Sequence, residues 1–119
     1  MKSLNLPHAP PILFAKEILS LQESSARVKI EFEEIPTLGM LIEAAAQSSA
    51  AISDEEQRTK MGFLVSLKNI KLLTPPQRKT LEVQVSNEHT MENMKMMNFL
   101  IYEDKTQIAE GSFMIALQN

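Results

Sequence analysis

Polar and apolar residues alternate without a fault from Arg27 to Glu33, with Val28, Ile30 and Phe32 on one side of an extended chain and Arg27, Lys29, Glu31 and Glu33 on the other. A period of two belongs to a strand with one face covered and one face wet, so the spacing predicts a strand over residues 25–34. Residues 13–21, rich in Ile, Leu and Phe, predict another before it, and Gln22 to Ser25 is short enough to turn the two into a hairpin. Beyond Pro36 the period changes. Leu38, Leu41, Ala44, Ala45, Ser48, Ala51 and Ile52 recur at helical spacing and predict a helix over about 38–53. Thr37 is its candidate N-cap, with a hydroxyl able to accept from an orphan amide of the first turn. The polar run Asp54 to Lys60 ends it.

Strand signals return after Gly62. Residues 63–73 form a long, mostly apolar run that Pro75 and Pro76 must stop, because proline cannot donate to a ladder. Leu81, Val83 and Val85 then alternate with Thr80, Glu82, Gln84 and Ser86, and Asn87 to Thr90 reads as a polar turn. Residues 93–103 and 107–117 predict two further strands, parted by Glu103 to Thr106. Two strands, a helix and four strands joined by short connections describe an α+β domain, an antiparallel sheet with one helix on its inner face. Between Leu38 and Ser53 the helix carries one charged residue, Glu43. A helix apolar nearly all round is expected to be buried, and Glu43, enclosed by alanine and leucine, is expected to lose hydration and rise in pKa.

Composition narrows the class. A chain of 119 residues fits one domain, 1–119, able to bury a core without staples. Hydrophobic residues at 44% and charged residues at 23% are ordinary for a globular protein. The 12 basic residues are scattered singly among 15 acidic ones, so no basic stripe suits a nucleic-acid backbone. With no cysteine, disulfides, thiolate metal sites and thiol nucleophiles are excluded. Pro7, Pro10 and Pro11 interrupt the N-terminal segment, so no signal peptide is expected. No run reaches the roughly 20 apolar residues of a membrane span. A cytoplasmic protein without membrane or nucleic-acid partners is the expectation.

Three stretches carry a resemblance. Leu6-Pro7-His8, followed by Pro11 and Leu13, is similar to the opening Leu-Pro-His-Arg segment of the 3-hydroxyacyl-carrier-protein dehydratases of fatty acid synthesis. Leu41-Ile42-Glu43-Ala44-Ala45-Ala46-Gln47 resembles the Glu-Ala-x-Ala-Gln run on their central helix. Gly62-Phe63-Leu64, Lys68-Asn69-Ile70-Lys71 and Ala109 to Ala116 resemble their later strands. The match runs in order from about residue 6 to 117. It implies the hot-dog fold, an antiparallel sheet wrapped around one central helix. It also implies an acyl thioester on acyl carrier protein or coenzyme A as ligand, a homodimer or higher homo-oligomer with sheets joined edge to edge, and neither cofactor nor metal.

By the same resemblance Glu43 takes the position of the family's catalytic carboxylate. The amides near Leu38, Gly39 and Met40 face the thioester oxygen, as a helix N-terminus offers unpaired N–H groups, and Gln47, one turn beyond Glu43, orients the carboxylate. The departures gather around this site. The His-Phe-Pro-Gly loop that supplies the family's catalytic histidine is missing, since only Glu33 to Thr37 lie between Phe32 and Leu38. Lys16-Glu17 replaces an Asp-Arg pair, Ala9 replaces an arginine, and the family's proline and glycine at the helix entrance align near Thr37 and Leu38, whereas the glycine here is Gly39. Two histidines remain, His8 in a proline-rich arm and His89 in the polar turn. His8 is the candidate to fold over the site as second catalytic group beside Glu43; His89 reads as solvated.

Three functions stay open: a 3-hydroxyacyl thioester dehydratase, a non-catalytic acyl-binding or accessory subunit that lost the loop and its histidine, and a thioesterase using Glu43 as base or nucleophile. Met91, Met94, Met96, Met97 and Met114 are candidates to line an acyl tunnel, against the plainer reading as core. Lys68 and Lys71 are candidates to meet an acidic carrier or a coenzyme phosphate, against solvated strand lysines.

Overall fold

A computed structural model describes residues 13–52 and 61–118. The chain forms β1 (Ala15–Leu21), β2 (Ser25–Glu31), α1 (Leu38–Ser48) with a single 3-10 turn at Ser49–Ala51, β3 (Met61–Leu72), β4 (Thr80–Met91), β5 (Met94–Glu103) and β6 (Thr106–Gln118). All six strands join one antiparallel sheet in the order β1-β2-β4-β5-β6-β3. The two-strand, one-helix, four-strand reading therefore holds. β3 does not neighbour β4, however; it crosses to the far edge and pairs with β6.

Alternation fixes which face is inner. Ala26, Val28 and Ile30 of β2 lie opposite Val85, Val83 and Leu81 of β4, and Val85 and Val83 in turn oppose Phe99 and Ile101 of β5. All of these side chains are buried. Their polar neighbours Arg27, Lys29, Glu82 and Gln84 point to the other, outer face, where Arg27 pairs with Glu82. α1 lies against β1, β2 and β4 on the inner side and contributes Leu41, Ile42, Ala44 and Ala45 to the core.

At Gly111 the sheet and its edge strand close tightly. A Cβ there would overlap Ile70 Cδ1 and come within 2.9 Å of Phe99 Cε2. The glycine is needed so that Ile70, beside the β3 irregularity at Asn69 (φ 55°), can reach across β6 to the Phe99 ring. A bulge of this kind re-aims a side chain at a sheet edge.

Three sequence expectations change. The helix ends at Ser48 and tightens into the 3-10 turn instead of running as α-helix to 53. Strand β2 ends at Glu31, where Phe32 donates its amide to the Lys79 carbonyl at 2.9 Å. The segment Asn87 to Thr90 is not a turn. It continues β4, with Thr90 opposite Lys95 and Met91 opposite Met94, and the reversal is confined to Glu92 and Asn93. Polar side chains mislead there because ladder hydrogen bonds use the backbone and tolerate any side chain on a wet face.

Candidate functional site

The helix N-terminus is built by Thr37. Its Oγ1 accepts from the Met40 amide at 3.2 Å, its carbonyl accepts from the Leu41 amide at 3.0 Å, and its own amide donates to Met40 Sδ at 3.5 Å. This reciprocal arrangement is a capping box with a thioether in the usual glutamate position. The Met40 amide is thereby committed to the cap, which narrows the amides able to receive a ligand oxygen to those of Leu38 and Gly39. Gly39 is exposed and its φ is not positive. A Cβ built on it meets only Thr37 Oγ1, at 3.9 Å. Neither packing within the protomer nor backbone conformation requires glycine here, although glycine costs a helix about 1 kcal/mol relative to alanine. What the missing side chain does supply is open access to the backbone.

Glu43 stands one turn further on. It is half-buried, not enclosed as the sequence suggested. The reason is a seam along α1 and into its 3-10 turn, through Gly39, Glu43, Ala46 and Ala50, that its own sheet does not fully cover. Gln47 Nε2 donates to Glu43 Oε1 at 3.5 Å, a long contact. The expected pairing of Glu43 and Gln47 is therefore present, but Gln47 has a stronger commitment. Its side chain is buried, and its Oε1 accepts from the backbone amides of Phe14 at 2.7 Å and Ala15 at 3.2 Å. Gln47 fastens the start of β1 to the helix and, while doing so, presents its amide group to Glu43. That role was absent from the sequence reading.

His8 lies outside the described residues. His89 is placed away from Glu43: on β4 it pairs with Met96, whose alternation puts it on the outer face, while α1 occupies the inner one. The sheet separates the two, so His89 and Glu43 of one protomer cannot act on the same atom. Among the described residues, no group of three or more histidine, cysteine, aspartate or glutamate side chains could hold a metal ion. The methionines also divide. Met97 is in the core, but Met96 and Met114 oppose each other on the outer face, and Met91 and Met94 are exposed. These four do not line a tunnel beside α1. Lys68 and Lys71 are exposed on β3, opposite Ser112 and Glu110.

Leu64, Leu67 and Leu72 of β3 oppose Ile115, Phe113 and Ala109, so they share the inner face with α1. They nevertheless remain 40–46% exposed. On the same side of the sheet, over β1, β2 and β4, the seam of α1 is also open. The inner side thus combines an uncovered apolar strand, a half-buried carboxylate and an accessible helix start. Among the described residues, no helix is long and apolar enough to cross a membrane.

No family model matches the chain, and no curated protein matches it. Solved structures do. A chain of the dehydratase heterocomplex ApeI:P from Xenorhabdus doucetiae superposes with a TM-score of 0.82 at 14% identity, covering 96% of this chain and 88% of that one. The HP0420 homologue from Helicobacter felis gives a TM-score of 0.73 at 18% identity, covering 94% of each chain. A hypothetical thioesterase with coenzyme A from Streptococcus pneumoniae gives 0.66 at 13% identity, covering 87% of this chain and 85% of that one. With a six-stranded antiparallel sheet wrapped on one helix, these likenesses establish that the chain has the hot-dog fold.

Proposed function

We propose that this chain is a dehydratase-like hot-dog subunit that binds 3-hydroxyacyl or acyl thioesters, on acyl carrier protein or coenzyme A, with Glu43 as the ionisable group at the bound thioester. The observation that carries the reading is the pairing of a half-buried carboxylate with an approachable helix start on one open seam. A thioester carbonyl needs donors where negative charge develops, and the amides of Leu38 and Gly39 at the positive end of α1 are such donors. The apolar inner face of β3 offers the surface an acyl chain would cover. Similarity in fold to a dehydratase heterocomplex and to a hypothetical thioesterase with coenzyme A supports the ligand class.

Elimination of water from a 3-hydroxyacyl thioester requires both a base for the α-proton and an acid for the leaving hydroxyl. Glu43 supplies one. We assign the second to His8 or to a partner subunit, because His89 is on the wrong face. We place the site at an interface with a second hot-dog chain, a homodimer or a heteromeric pair, seated along β3. Hydrolysis is the second reading, favoured by the same observation, since a single carboxylate suffices to activate water.

The test is to incubate the full chain with 3-hydroxyacyl and acyl thioesters on both carriers, beside Glu43→Gln and His8→Ala. Dehydration lost in both variants identifies a complete dehydratase. Hydrolysis lost only in Glu43→Gln identifies the thioesterase. Acyl binding without turnover identifies a binding subunit. Absence of both binding and turnover would overturn the proposal.

A further inference from the structure

The inner face of the sheet carries a ridge between the ground under α1 and the leucines of β3. Val85, Phe99 and Gly111 form one row across β4, β5 and β6. The rows on either side of it run on into β3 in regular register, with Leu67 opposite Phe113 and Leu72 opposite Ala109. The Gly111 row does not. There β3 is irregular, and Asn69 and Ile70, between the paired Lys68 and Lys71, have no register partner on β6. Asn69 is left-handed, with φ 55°, and Ile70 leans inward, so that its Cδ1 and the edge of the Phe99 ring both crowd the space above Gly111. Phe99 is thereby closed off, while Ile70 packs on the core and keeps an open side.

Two devices meet at this point. A glycine inside a strand weakens it, and a left-handed residue other than glycine is uncommon. A regular residue opposite Gly111 would need neither, but its side chain would stand over β3. Together the glycine and the irregularity carry an apolar side chain off the edge strand and over β6, nearer α1 by one strand spacing, roughly 5 Å. The β-branch of Ile70 and its seat against Phe99 leave it little freedom to swing aside. The seam with Glu43 lies over β1, β2 and β4, and the exposed leucines lie on β3. An acyl chain laid from one towards the other crosses β5 and β6, and there it meets Ile70.

We propose that Ile70, seated by Gly111, is the specificity-determining residue that stops the acyl chain midway across the inner face and restricts the ligand to short acyl groups. This role rests on the thioester reading above. Methylenes beyond the ridge find no apolar surface to cover and add nothing to binding.

The test is a binding series of butyryl, hexanoyl, octanoyl and decanoyl thioesters on coenzyme A and on acyl carrier protein, with Glu43→Gln in every chain to suppress hydrolysis. With Ile70 in place, affinity should stop rising beyond hexanoyl. Ile70→Ala trims the ridge to a methyl group and should let two further methylenes be buried, each worth about fourfold in affinity. The ratio of octanoyl to butyryl affinity should therefore rise by at least about tenfold, and in Ile70→Val by no more than about fourfold. A ratio between two ligands is read on the folded chain alone, so lost stability does not imitate the shift, and a side chain that only packs against Phe99 would leave the ratio unchanged. An unchanged length profile in Ile70→Ala, or affinity that keeps rising to decanoyl with Ile70 in place, would show that Ile70 does not set acyl length while thioester binding itself stands. Absence of binding at every length in every chain would instead remove the thioester reading and this role together.

Discussion

Gln47 shows how one side chain ties the candidate site to the fold. Its spacing from Glu43 is visible in the sequence, as residues four apart on a helix are neighbours. Its bonds to the Phe14 and Ala15 amides span 33 and 32 residues, and no local pattern encodes them. Gln47→Leu keeps the apolar bulk and removes the acceptor, leaving the half-buried Phe14 amide and the buried Ala15 amide without it. An unsatisfied buried donor costs about 1–3 kcal/mol, so the variant should lose stability of that order in urea unfolding. Amide exchange should accelerate at Phe14 and Ala15 and stay unchanged in β5. If those two amides keep wild-type protection, Gln47 is not what holds β1. Glu43→Gln should leave both stability and exchange nearly unaltered, because Glu43 is half-buried and its hydrogen bond among the described residues is the long one from Gln47.

At the scale of elements, strand period and helix spacing were legible, and so was the cap. Thr37 stands where the sequence places it, and its hydroxyl meets Met40 as expected. Thr37→Ala should cost about 1 kcal/mol, and Thr37→Ser far less, because serine keeps the acceptor. Equal melting temperatures for the alanine and serine variants would show that the cap contributes nothing. Two elements were misread for physical reasons. β4 continues through Asn87 to Met91 because side-chain polarity does not determine whether a two-strand ladder persists on a wet surface. The helix looked buried on every side because alanine suits burial against its own sheet and against another chain equally well. Whether the seam is covered depends on what lies outside the protomer, and composition carries no record of that. The likeness to dehydratases anticipated the fold along nearly the whole chain. The methionines, in contrast, were assigned by type, and their division between core and outer face is decided by strand parity and a single bulge.

At the scale of the molecule, the open features converge on the side of the sheet that carries α1. β3 is an edge strand, and exposed apolar edges are hazards unless another chain pairs with them. Leu64, Leu67 and Leu72 lie on that edge strand and face the same side as Glu43 and Gly39. A second hot-dog chain added to β3 would extend the sheet, cover the leucines and bring its own groups to the seam. Under the proposed pairing, Leu67→Lys should convert the assembly to single chains in light scattering, because a lysine ammonium at the centre of that surface resists desolvation. The folded chain should survive, since Leu67 is already 46% exposed in one protomer. Thioester binding should fall with the assembly if the site lies at the interface. Glu43→Gln should leave the assembly intact while altering only the chemistry. An unchanged mass for Leu67→Lys would move the interface away from β3. Loss of the assembly with undiminished thioester binding would instead place the whole site within one protomer and return His8 to the role of the missing partner.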